Sequence, residues 1–159
     1  MAKVYRLQPV EALSSVAVDD VRRIYEDGFP KHLRADFSDI TGHRQPGELA
    51  FALVQNERPS GFAMLRPLGG TGWIFLRYFV VGAERRGRGL GGILWQQLTD
   101  RLRELGYTLL VFDVEDPAEA GCGEDEVQIV VEKRASRGGA VVRFVMLEAV
   151  ASDDVTQRI

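Results

Sequence analysis

Between Val80 and Gly92 the chain reads Val80-Val81-Gly82-Ala83-Glu84-Arg85-Arg86-Gly87-Arg88-Gly89-Leu90-Gly91-Gly92. Glycines interleaved with arginines make a surface suited to phosphate. A glycine lets a ligand approach the main chain closely and tolerates positive φ, while arginine brings a permanent charge and a planar fork of donors. The stretch stands where a run of strand type gives way to one of helix type. A helix N-terminus turns unpaired N–H groups and the positive end of its dipole toward an anion. A phosphate-bearing ligand is therefore the chemistry expected of this segment.

The elements that must position it are legible on both sides. Before it, Glu48 to Gln55, Ser60 to Leu68 and Trp73 to Val81 read as strands separated by the turns Asn56-Glu57-Arg58-Pro59 and Gly69-Gly70-Thr71-Gly72, a three-stranded antiparallel meander. After it, Leu90, Leu94, Leu98, Leu102 and Leu105 recur three or four apart from Gly89 to Gly106, with Trp95 beside them, which predicts an amphipathic helix with Gly106 at its C-cap. Tyr107 to Asp113 is an apolar run of strand length. Strand, turn, helix and strand make a βαβ unit, so Trp73–Val81 and Tyr107–Asp113 should be parallel.

The flanks are plainer. Lys3 to Leu7 reads as a first strand, and Ser14 or Ser15 caps a helix to about Asp27 with Val16, Val18, Val21, Ile24 and Tyr25 at helical spacing. Phe29 to Arg34 is an irregular basic segment, followed by a short helix around Asp36 to Thr41. Near the end, Glu124 to about Arg137 reads as a helix, although Ile129-Val130-Val131 also suits a strand, Ala140 to Val150 reads as a strand, and a polar tail begins near Ser152.

Composition bounds the reading further. With 159 residues, 45% hydrophobic and 27% charged, the chain suits one domain spanning residues 1–159 with its own core. Its longest apolar runs, such as Val141 to Leu147 interrupted by Arg143, fall short of the ~20 residues of a membrane span. The single cysteine, Cys122, excludes an internal disulfide framework and a thiolate metal cluster, and no metal is expected. A net charge of −3 argues against broad nucleic-acid affinity even though the central loop is basic. The start of the chain lacks the pattern of a secretory signal, so a cytoplasmic location is expected.

Gly87, Gly89 and Gly92 formally satisfy a dinucleotide fingerprint, with Asp113 placed to hold a ribose hydroxyl, as in an NAD(P)-binding oxidoreductase domain. Against it, Gly82 to Arg86 separate Gly87 from the strand end, and fewer than 50 residues follow Asp113 in which further parallel strands could form. A nucleotide-hydrolysing loop fails because no Lys-Ser or Lys-Thr pair follows the glycines. Arg86-Gly87-Arg88-Gly89-Leu90-Gly91 instead resembles the acetyl-coenzyme A pyrophosphate motif of the GNAT superfamily of N-acetyltransferases, and the order of elements from Lys3 to Asp116 resembles that fold too. The resemblance implies an α/β (α+β) fold: a mixed sheet with an antiparallel meander followed by a βαβ unit that carries the cofactor loop.

It also implies roles. Main-chain groups of Phe79, Val80 and Val81 would pair with the pantetheine arm of acetyl-CoA. Arg86, Gly87, Arg88, Gly89, Leu90, Gly91 and Gly92 would cradle the pyrophosphate, and Arg85 would meet the nucleotide's other phosphate. The acyl acceptor would be a primary amine, attacking the thioester directly after losing a proton to a base. Trp73 to Phe79 holds no carboxylate, so the candidates are Glu115, with Asp113 beside it, and Glu26. The tyrosine that many members use as an acid before a Gly-Ala step is absent from Lys133-Arg134-Ala135-Ser136-Arg137-Gly138-Gly139-Ala140. The leaving thiolate has a conjugate acid of pKa near ~8.5, so turnover near neutral pH does not require one. Only one final strand is expected where the family has an antiparallel pair. This leaves either a shortened sheet or a homodimer completing it, and either an enzyme or a weakly catalytic acyl-CoA-binding or regulatory domain.

Overall fold

A computed structural model of the chain describes residues 3–41, 46–115, 135–137 and 140–146. Among the described residues seven strands form one mixed sheet in the order β1-β2-β3-β4-β5-β7-β6. They are β1 Arg6–Pro9, β2 Leu49–Gln55, β3 Arg58–Pro67, β4 Trp73–Val81, β5 Leu109–Glu115, β6 Ala135–Arg137 and β7 Ala140–Met146. Among the described residues three α-helices accompany them: α1 Ser15–Gly28, α2 Ser38–Thr41 and α3 Leu90–Glu104. Among the described residues no helix is long and apolar enough to cross a membrane.

The meander forms as its alternation predicts, β2 to β3 and β3 to β4 both antiparallel. β3 starts at Arg58 rather than Ser60 because the β2–β3 loop has only two residues, Asn56 and Glu57, both at positive φ (49° and 63°). That geometry matches the twist of paired strands. β1 falls at Arg6–Pro9, later than Lys3–Leu7, since Arg6 to Pro9 is where the chain meets Val54 to Phe51.

Side-chain alternation splits the core between the two faces. Ala50, Ala52, Val54, Phe62, Met64 and Val80 face α1, packing with its Val21 and Tyr25. Phe51, Ala63, Leu65, Ile74, Leu76, Leu110 and Phe112 face α3, packing with its Leu98 and Leu102. α1 is capped by Ser14, whose Oγ accepts the Ala17 N–H at 3.3 Å. Its buried stripe is Ala17, Val21 and Tyr25; Val16, expected inside, is 68% exposed because it lies off that i, i+4 line. α3 ends in a Schellman motif, with Tyr107 N–H on Leu102 C=O, Gly106 N–H on Arg103 C=O, and Gly106 at φ +88°. This turn leaves Leu105 half outside, contrary to its place in the leucine stripe.

The end of the sheet corrects one expectation. β7 runs antiparallel to all of β5, and Ala135, Ser136 and Arg137 pair antiparallel with Val142, Val141 and Ala140. The final strand thus has a partner, three residues long, where a helix was expected to end. A second chain is no longer needed to complete the sheet. The rest of the expected 124–137 helix, the acidic loop 116–126 with Cys122, and the tail from Ser152 lie outside the described residues.

Candidate functional site

β4 and β5 begin as a parallel pair and then part. Trp73, Ile74 and Phe75 pair with Leu109, Leu110 and Val111, and the ladder stops there. From Leu76 to Val81 β4 keeps its bonds to β3 while its other edge has no β5 partner. The parting coincides with a bulge in β4: the register passes from Leu65↔Leu76 to Met64↔Tyr78, so Arg77 is the inserted residue. A bulge bends and twists its strand, here turning β4 away from β5.

Trp95 on α3 stands under the gap. Its ring is 5.8 Å from Phe79 of β4 at 72° and 5.8 Å from Phe112 of β5 at 74°. One indole thus meets both diverging strands edge to face and closes the slot on the α3 side. The exposed edge of β4 suits an extended, amide-bearing ligand, which can pair with it as an added strand.

The glycine and arginine segment lies at the end of that edge. Gly82 N–H is held by Ser60 C=O at 2.8 Å, and Ala83–Arg85 form one 3-10 turn. Gly87 and Gly89 then take φ of +74° and +73°, and Gly89 is the N-cap of α3. The first backbone bond of the helix is Ile93 N–H to Gly89 C=O at 3.2 Å. The N–H groups of Leu90, Gly91 and Gly92 precede it, as orphan donors at a positive dipole end. A β-carbon at Gly87, Gly89 or Gly92 would meet no protein atom within 4 Å, so the approach to these donors is open. Leu90 itself is buried with Leu53 and Leu94, fixing the first turn on the sheet. Arg86 donates from Nε to Val81 C=O at 3.3 Å, tying the loop to the strand end, while Arg88 is exposed and Arg85 half-buried.

On the α1 face the segment after α1 is pinned over β4. Tyr25 O–H donates to Ala35 C=O at 2.9 Å, and Ala35 N–H donates to the Tyr78 oxygen at 3.2 Å. Tyr78 also stacks edge-on with Tyr25 and Phe29, centroids 5.1 Å apart in each pair. Burial first, and then the neighbouring Tyr78 hydroxyl, raise the Tyr25 phenol above its ordinary value. With the folded pKa raised, Tyr25 supports the fold fully below about pH 10, where an unfolded tyrosine ionises, and that support is lost as pH rises further. Urea unfolding at stepped pH should show wild type losing up to about 1.4 kcal/mol per pH unit more than Tyr25→Phe above about pH 10. Parallel losses in the two proteins would count against this.

The buried charge on this face was not foreseen. The Glu48 side chain, 2% exposed, accepts from Arg66 Nε at 2.6 Å and from Arg77 Nη1 at 3.3 Å. The signal was in the sequence: Arg66 and Arg77 each interrupt an apolar strand. The expected bases are placed separately. Glu26 is exposed on α1, 3.7 Å from Arg22. Glu115 is the last residue of β5, beyond its final pair with β4, and Asp113 lies opposite Val142 in the register.

These features define a class of protein before any comparison: a mixed sheet that opens at its centre beside a helix N-terminus whose first N–H groups are approachable, an arrangement that suits a long ligand carrying an anion at one end. The GNAT acetyltransferase family model matches residues 16–123, and the chain belongs to that family. Among solved structures, a ribosomal-protein-S18-alanine N-acetyltransferase from Escherichia coli superposes with a TM-score of 0.62 at 17% identity, over 94% of this chain and 98% of that one. An aminoglycoside 6′-N-acetyltransferase complexed with coenzyme A gives 0.66 at 15%, over 91% and 98%. A GNAT family N-acetyltransferase from Escherichia coli in complex with coenzyme A gives 0.66 at 17%, over 93% and 84%. At these identities the likeness is one of fold. A search of curated proteins found no match. The dinucleotide reading does not suit this topology, since the other neighbour of β5 is the antiparallel β7.

Proposed function

We propose that the protein transfers an acetyl group from acetyl-CoA to a primary amine. The observation that carries the reading is the parting of β4 from β5 after Phe75 and Val111, directly before a helix whose first N–H groups lie open. The coenzyme A complexes of two similar folds support it. In this reading the main chain of Phe79, Val80 and Val81 pairs with the pantetheine amides. The N–H groups through Leu90, Gly91 and Gly92, reached past Gly87 and Gly89, hold the pyrophosphate, with Arg85, Arg86 and Arg88 adding charge. The thioester then lies at the head of the slot, near Leu76 and Arg77.

The neutral amine attacks the thioester carbonyl, the C–S bond breaks as the C–N bond forms, and the thiolate departs. The amine's proton passes to a base. Glu115, at the open end of β5, is the carboxylate proposed for that step; Glu26, solvated and paired with Arg22, ranks behind it.

Thermal melting in parallel with acetyl-CoA, NAD and NADP tests the reading. Acetyl-CoA at about a hundred times its dissociation constant should raise the midpoint by about 5–10 °C. A panel of amines should then release thiol. A shift with a nicotinamide nucleotide and none with acetyl-CoA would sink the reading; a shift without thiol release would leave a binding domain.

A further inference from the structure

Trp95, wedged between Phe79 and Phe112, fills the α3 face of the parting, which leaves the α1 face of β4 for the acceptor. On that face, two residues past the last β4–β5 pair, stands Arg77. Its side chain is only 20% exposed, and its Cζ lies 5.5 Å from the centre of the Tyr78 ring. Its one hydrogen-bond acceptor among the described residues is Glu48, and the same Oε1 also takes Arg66 Nε, at 2.6 Å against 3.3 Å for Arg77.

Two guanidiniums therefore bond the same carboxylate oxygen. Arg66, at 40% exposure, disperses its charge into water, whereas Arg77 is largely shielded. A guanidinium has five N–H donors in a planar fork that matches a carboxylate two at a time. A shielded cation with most of its donors unused is a poor neighbour for a cationic substrate and a strong one for an anion.

We propose that Arg77 binds a carboxylate on the acceptor, so that the substrate class is an amine that also carries a carboxylate. Glu48 is the positioning residue: it holds one nitrogen of the Arg77 fork, and the other donors have no protein acceptor among the described residues. The proposal rests on the acetyl-transfer reading above.

The test compares matched ω-amino acids and their carboxamides as acceptors, by thiol release from acetyl-CoA. Wild type should prefer the acid at least tenfold in kcat/KM, even though the amide's amine is less basic and so more often neutral. Arg77→Gln should bring the ratio of acid to amide in kcat/KM to about one; Arg77→Lys, which keeps the charge and loses the fork, should give a ratio between that and the wild-type value. If Arg77→Gln does not fold, the wild-type ratio and Arg77→Lys decide. Midpoints with acetyl-CoA alone, measured for each protein, keep the cofactor reading separate. An acetyl-CoA shift combined with equal or better use of the amides would overturn the carboxylate proposal alone. So would an acetyl-CoA shift with no further shift from any amino acid over its amide in the presence of coenzyme A. No acetyl-CoA shift in wild type would overturn both.

Discussion

Gly89→Asp should fold as wild type does and lose about a hundredfold in coenzyme A affinity. The backbone there is at φ +73°, a conformation that costs most L-residues roughly 1–2 kcal/mol and that Asp tolerates better than most. Gly89 is also the N-cap of α3, where an aspartate returns about 1 kcal/mol by accepting from an orphan N–H. No protein atom lies within 4 Å of the position its β-carbon would take. Strain and capping therefore roughly offset each other, and the melting point should move by no more than a few degrees. The same carboxylate would stand where the pyrophosphate belongs and occupy the donors it needs. A pair of like charges about 4 Å apart at a protein surface repel by about 4 kcal/mol before salt screening, so a loss near about 3 kcal/mol, or about a hundredfold, is expected. Gly89→Ala adds the strain without the charge and should lose less than about tenfold. Calorimetric titration with coenzyme A beside a thermal melt separates the two effects. Unaltered binding by a folded Gly89→Asp would show that the phosphates do not lie at this helix end.

What the sequence disclosed follows from which interactions are local. The bounds of β4 were legible because an aromatic and β-branched run is punctuated by Gly72 and Gly82, and α3 because four leucines share one face and Gly106 ends it. The motif residues from Arg86 to Gly91 were visible as a string because an anion-binding surface at a helix start is made by consecutive backbone groups. By contrast β6, Ala-Ser-Arg, has no strand character of its own; pairing with Val142, Val141 and Ala140 makes it a strand. The bulge at Arg77 is likewise invisible locally, being a relation between two strands. So is the wedge, since Trp95 reads as one more apolar residue on α3 until Phe79 and Phe112 are placed on either side of it. The Glu48, Arg66 and Arg77 cluster joins three strands' worth of chain, and sequence offered only the oddity of arginines within apolar runs.

That cluster should also govern stability. Glu48→Gln is expected to cost about 3 kcal/mol and to lower the melting point by about 6–12 °C, the amounts typical of removing one partner from a buried ion pair in a chain of this size. The side chain is 2% exposed and nearly isosteric with glutamine, so little packing changes; what changes is the charge. Arg66 can turn to water when the carboxylate is lost, being 40% exposed. Arg77 cannot, and it would be left as a shielded cation over Tyr78 without its counter-charge. The double variant Glu48→Gln/Arg77→Met should therefore be more stable than Glu48→Gln, since the stranded charge is gone; the shortfall in additivity measures the coupling between the two residues. Denaturant unfolding of the four proteins in this cycle checks it. A Glu48→Gln midpoint within a degree of wild type, or a double variant weaker than the sum of its parts, would mean that Arg77 already has water or another anion to hold it. The same chemistry predicts a selective rescue: a carboxylate bound at Arg77 replaces the lost negative charge, so an ω-amino acid should stabilise Glu48→Gln more than wild type, and its carboxamide should stabilise neither.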